Sequence, residues 1–178
     1  MRTIFWMTLV LLGGLAAWVL FANTDERAVR RVFGDICKNL QKEGIESPFQ
    51  AMARARAVTR HLAAHIHLEG TVPSEREGTV PGERVTVDTA RLTEQIAALR
   101  RECAFLTIQT SDLTIRFHQT NGDRRADVFC NVTVTGLPFS HDFPGGNTFS
   151  LTTAFVKDPD SGAWRVTALH VAPIVPVE

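Results

Sequence analysis

Tyrosine is missing from all 178 residues. No phenolic hydroxyl is therefore available anywhere in this chain to donate a proton or hold an oxyanion. Cysteine is scarce: Cys37, Cys103 and Cys130 are widely spaced and odd in number. Without a C-x-x-C pair, neither a zinc ribbon nor a thioredoxin-like redox centre is specified. Two of the three could pair in an oxidising compartment, and all could equally be buried thiols. Net charge is also lacking, since 19 Lys and Arg balance 19 Asp and Glu. No long run of one sign occurs, so the footprint of a nucleic-acid binder is absent and no such partner is expected. Gly13–Gly14 lies in an apolar run and Gly145–Gly146 in a loop, so neither forms a phosphate cradle, and no cofactor is specified.

Apolar residues are plentiful, at 44% of the chain, enough for an anchor and one core-forming domain. From Ile4 to Phe21 the sequence reads IFWMTLVLLGGLAAWVLF without a charge. As a helix this run spans roughly 27 Å, close to the hydrocarbon thickness of a bilayer. A signal peptide starting at Arg2 is the rival reading, but no clean A-x-A site follows. Residues 1–22 are therefore read as a transmembrane signal-anchor and residues 23–178 as one domain. Arg27, Arg30 and Arg31 outnumber Arg2 and argue against an outside domain. They are mixed with Asp25 and Glu26, and sizeable domains cross largely regardless of flanking charge. The short amino tail suits an N-in anchor, which places the domain on the periplasmic or extracellular side of the cell membrane.

Past the anchor, Asn23 with Glu26 forms a capping-box pattern, and Val29, Val32, Phe33, Ile36 and Leu40 recur at helical spacing up to Gly44. Ser47, Pro48 and Gln50 open a second helix with Met52, Ala55, Val58, Thr59 and Leu62 on its apolar face. The pattern turns to a strand near Ala64. Then EGTVPSEREGTVPGER, residues 69–84, writes nearly the same eight residues twice. One repeat pair is far too few for a solenoid, and the Pro, Gly and Glu/Arg content suits a solvated loop or hairpin arm. Residues 84–87 are expected as a short strand. Asp88 or Thr89 caps a third helix striped by Leu92, Ile96 and Leu99. From Ala104 the period becomes two. A bulge is expected near Ser111–Asp112, a hairpin turn at Asn121–Gly122, and two further strands after the 136–147 loop, joined by DPDSG. Helices first and an antiparallel meander afterwards mean α+β.

The two opening helices, the third helix before long strands, the phrase SDLTIRF…NGDRRADVFCNVTVTG and the closing GAWRVTALHV resemble the nuclear transport factor 2-like (SnoaL-like) superfamily. The resemblance runs from about Asn23 to the end. It is similar above all to membrane-tethered members without an assigned activity. It implies a cone: three helices against a curved, mainly antiparallel sheet. It also implies a habit of dimerising through the sheet. Enzymes of that superfamily place a carboxylate or His with Tyr hydroxyls inside the cone, and the Tyr part of such a set is excluded here.

Few residues present themselves for chemistry. His61, His65 and His67 are the best metal-like grouping, yet no regular element puts all three on one face, and no metal is expected. His141–Asp142 are adjacent and would seldom face one another. Asp127 and Asn131 lie on the polar side of their strand, opposite Val128, Cys130 and Val132. Strict alternation places Trp164, Val166, Ala168 and His170 on one face, which makes Trp164, His170 and Cys130 the candidate ligand-binding residues. The function expected is a membrane-tethered, non-enzymatic domain that binds a partner protein, a second copy or a small apolar ligand. The alternative is a SnoaL-like isomerase, cyclase or hydrolase with His170 or Asp127 as base.

Overall fold

The structure, a computed structural model, describes residues 24–74, 78–81, 84–136 and 148–174. The apolar run at 4–21, the Asn23 cap and the His141–Asp142 pair lie outside the described residues. Among those described, no helix is long and apolar enough to cross a membrane. Helix α1 covers residues 24–40 and buries Val29 and Phe33, with Val32, Ile36 and Cys37 packed beside them. It ends before Gly44, because Lys42 is drawn into a bridge with Leu106. Helix α2, Pro48–Thr59, starts as its sequence dictates: the Ser47 hydroxyl accepts from the Gln50 amide, and the Gln50 side chain accepts from the Ser47 amide. Helix α3, Thr89–Glu102, is capped by the Asp88 carboxylate.

The two long-helix termini cap each other. Arg100, only 1% exposed, donates to the carbonyls of Asn39 and Leu40 at the end of α1 and pairs with Glu46. Lys42 in turn donates to the carbonyls of Arg100 and Cys103 at the end of α3. The last carbonyls of a helix lack intrahelical partners, and cations there also meet the negative end of the dipole. Burial of both cations is thus compensated by hydrogen bonds on every side that the helix ends present.

The described residues form seven strands, three before α3 and four after it: β1 Leu62–Ser74, β2 Gly78–Pro81, β3 Val85–Asp88, β4 Leu106–Thr120, β5 Asp123–Gly136, β6 Thr148–Lys157 and β7 Trp164–Pro173. They form one sheet in the order β2-β1-β7-β6-β5-β4, with β3 also on β1. Every pairing is antiparallel except β1 with β7. Strand β1 begins at Leu62, two residues earlier than its pattern suggests, because Leu62 pairs with Val166 rather than extending α2. The expected bulge is present between Ser111 and Thr114, with Asp112 at φ 57. Asn121 and Gly122, at φ 53 and 90, make the tight turn between β4 and β5. The doubled octapeptide is a hairpin in which the copies pair with each other: Thr71 opposite Pro81, Val72 opposite Val80, Pro73 opposite Thr79.

The core lies between α1 and the inner face of the sheet. Ala126, Val128, Cys130 and Val132 of β5, Phe155 of β6, and Trp164 and Val166 of β7 are buried against Val29 and Phe33. Helices α2 and α3 pack together at the flank, joined by the Thr93 hydroxyl donating to that of Thr59 at 2.9 Å.

Candidate functional site

A bulge decides which polar residues share a face. Phe155 pairs with Val166 and Ala154 with Ala168, so β7 takes two steps where β6 takes one, and Thr167 is the extra residue. Trp164 and Val166 point into the core, whereas Ala168 and His170 emerge on the outer face. The expectation that these four side chains share a face is therefore corrected. Strict alternation could not anticipate a residue that breaks it.

On the outer face His170 pairs across β1 with Glu69 and across β6 with Thr152. Together with His67, Arg84, Ala154 and Ala168 they line a shallow depression of about 220 Å³. Its polar groups are largely committed: Arg84 donates to Glu69 at 2.9 Å, and His67 Nδ1 lies 3.0 Å from the Thr86 hydroxyl. The Arg84 bond, outweighing a slight burial effect, holds the Glu69 carboxyl below its usual value. Asp127 and Asn131 also stand on this face. Asp127 lies 3.7 Å from His118, and Asn131 donates to Asp112 at 2.9 Å.

Trp164 sits at the opposite side of the sheet. Its ring is 3% exposed and meets Phe117 edge-on at 5.8 Å between centroids. Its Nε1 faces the Asp25 carboxylate of α1 at 3.4 Å. Asp25, itself 8% exposed, also receives Lys157 at 2.8 Å and Arg124 at 2.7 Å. Burial pushes this carboxyl up, but Lys157, Arg124 and the indole together outweigh it and hold it below the ordinary 3.8. A carboxylate so saturated is a structural anchor and not a free base.

Beside Trp164 a groove of about 300 Å³ opens between α1, the α2–β1 turn and the β6–β7 turn. Ala28, Val32, Ala163 and the Trp164 edge supply its apolar wall, and Arg31, Arg60, His61 and Arg165 its polar one. The turns place them there: Arg60 caps the end of α2, and Gly162, at φ 67, folds the chain sharply before Trp164. His61 Nε2 accepts from Arg60 Nε at 3.1 Å. Burial, then the Arg60 charge, lowers the His61 pKa against the weaker pull of Asp35. His61 is therefore kept neutral, and the histidine grouping is divided between this groove and the outer face of β1.

Cys130 is 4% exposed inside the core, and burial pushes its thiol up to about 11. Burial and the neighbouring Cys130 push Cys37 to about 11 as well. Both are packing thiols in this setting. Among the described residues no three His, Cys, Asp or Glu side chains converge as metal ligands. Reading the sequence alone missed Asp25, Arg31, Arg60, Arg124 and Arg165. Their roles depend on contacts across distant segments, and no local spacing signals them.

No protein-family model matches the chain, and no curated protein matches it significantly. Solved structures do. An NTF2-like protein with a cystatin-like fold from Novosphingobium aromaticivorans shares 16% identity over 90% of this chain and 89% of its own, at a TM-score of 0.55. An NTF2-like protein from Cytophaga hutchinsonii shares 16% identity over 86% of this chain and 98% of its own, at 0.51. A proposed dehydratase of the NTF2-like family from Streptomyces avermitilis shares 13% over 87% and 99%, at 0.52. At these identities the likeness extends to the fold, and the chain has the nuclear transport factor 2-like fold.

Proposed function

We propose that this protein is a non-catalytic binding domain, tethered to the cell membrane by residues 4–21 with its globular part on the periplasmic or extracellular side. The groove beside Trp164 is where it takes a small apolar ligand. One observation carries the reading: the central inner face of the sheet is filled by Val29, Phe33, Val128, Cys130, Phe155 and Val166. An acid–base pair in a cone-shaped enzyme would need that space, and the carboxylate at its margin, Asp25, is already held by two cations. The groove beside it stays open, has an apolar wall, and reaches the lower end of the size range of small-molecule sites.

Three measurements test the two halves. Full-length protein resists carbonate extraction, and protease added to intact spheroplasts digests the domain. Extraction into the soluble fraction would remove the tether from the reading. In a thermal-shift screen of small apolar compounds, hits stabilise the wild type but not Ala28→Phe, which fills the groove. Hits that ignore Ala28→Phe would place the ligand elsewhere, and turnover of any hit would favour an enzyme.

A further inference from the structure

The groove beside Trp164 is strongly polarised, and this sets the chemistry of what it accepts. Its polar wall is built from cations on three separate segments: Arg31 from α1, Arg60 from the end of α2, and Arg165 from β7. Arg165 is neutralised by Asp158, whose Oδ2 lies 3.3 Å from its Nε. Arg31 has no ion-pair or hydrogen-bond partner among the described residues. Arg60 spends its Nε on the neutral ring of His61, which fixes the guanidinium plane and leaves both Nη groups unpartnered among the described residues. The Asp35 carboxylate lies 3.9 Å from His61 Nε2 and is within ion-pair distance of neither arginine. Arg30, next to Arg31 in sequence, is by contrast matched by Glu26 at 2.8 Å. Two of the three arginines of the groove, Arg31 and Arg60, are thus left without a carboxylate among the described residues, whereas Arg165 and Arg30 each have one.

We propose that the groove binds an amphipathic anion, a compact apolar body bearing one phosphate or carboxylate, with Arg31 and Arg60 clamping the anionic group. Ala28, Val32, Ala163 and the edge of Trp164 receive the apolar body. Guanidinium groups meet phosphate and carboxylate oxygens in paired, charge-assisted hydrogen bonds, and Arg60 is already oriented for one. Such an anion arrives either as a soluble metabolite or as the headgroup of an anionic lipid. The inference rests on the groove being the ligand site proposed above, and the following experiment separates the two.

Trp164 is the one tryptophan outside the 4–21 run, which holds Trp6 and Trp18. Full-length protein carrying Trp6→Phe and Trp18→Phe, in phosphatidylcholine nanodiscs, therefore reports from the groove alone. It is titrated with N-phenyl-1-naphthylamine and with 8-anilinonaphthalene-1-sulfonate, which share one aromatic body and differ in a sulfonate standing in for the anion. Quenching of Trp164 is expected for both dyes, with the sulfonate binding about tenfold more tightly at low salt. Arg31→Gln with Arg60→Gln, or high salt, brings the two dyes to about equal affinity. Ala28→Phe abolishes quenching by either and supplies the bilayer background. Equal binding of both dyes to wild type would overturn the anion clamp and leave the apolar groove standing. Sulfonate binding that ignores the double variant would also overturn it. Failure of both dyes would remove the groove reading itself. Discs containing phosphatidylglycerol, without dye, separate the sources. A Trp164 emission shift lost in the double variant assigns the anion to a lipid headgroup, and unchanged emission assigns it to a soluble molecule.

Discussion

Asp25→Asn tests whether one carboxylate fastens α1 to the start of β5 and the end of β6. The substitution preserves shape and turns a shared counter-ion into an amide that offers hydrogens to Lys157 or Arg124. Breaking a buried ion pair by removing one partner typically costs about 3–5 kcal/mol, because the other charge is stranded. Here the cations are not stranded: the Arg124 side chain is 59% exposed and that of Lys157 27% exposed, so both rehydrate. The Trp164 Nε1 bond, at 3.4 Å, is long and contributes little. The expected loss is therefore about 2–3 kcal/mol, out of roughly 5–15 kcal/mol for a domain. For a chain of this size it corresponds to a fall in Tm of about 5–10 °C. Urea unfolding of the full chain in mild detergent, followed by Trp164 emission in the Trp6→Phe, Trp18→Phe background, measures it. Acid provides the second arm. The folded carboxyl titrates below its unfolded value, so its contribution is complete above about pH 4 and is lost as pH falls through the folded value. The gap between wild type and Asp25→Asn should hold from neutrality to about pH 4 and close below that. A loss under about 0.5 kcal/mol, or a gap that persists at low pH, would refute the account of Asp25 as the anchor.

Trp164→Ala should cost about 3–5 kcal/mol by emptying a buried site, seen as a collapsed Tm by circular dichroism, whereas His170→Ala on the outer face should cost little. Deleting residues 77–84 should move Tm by no more than a few degrees. Arg76 then precedes Val85 as Arg84 does now, and an exposed ion pair is worth about 0–1 kcal/mol in any case. With thiols raised to about 11, Cys37 and Cys130 should resist alkylation at neutral pH until urea unfolds the protein; rapid labelling of native protein would contradict the packing described for them.

Much of the fold was legible because its determinants are local. Ser47, Pro48 and Gln50 carry the start of α2 within four residues, and Asn121–Gly122 carry a turn within two. The alternation of Ala126, Val128, Cys130 and Val132 identified the buried face of β5 without any knowledge of what covers it. The site was far less legible. Thr167 is an ordinary strand residue by type, and only its misfit with β6 makes it a bulge, so the side on which His170 lies was hidden. Lys157 reaches Asp25 across 132 residues of sequence. Arg31, Arg60 and Arg165 are unremarkable surface charges one by one, and they become a wall only after three segments converge.

The doubled octapeptide shows how this scaffold accommodates added length. Its first and last residues, Glu69 and Arg84, meet at 2.9 Å, and the flanking Leu68 and Val85 sit directly opposite each other. The extra segment prolongs β1 and pairs back on it through β2, returning to its point of departure, so contour is gained while the flanks stay paired. A duplication of this kind can be fixed in a single genetic step, because the new copy finds its template in the old one and asks nothing of the core.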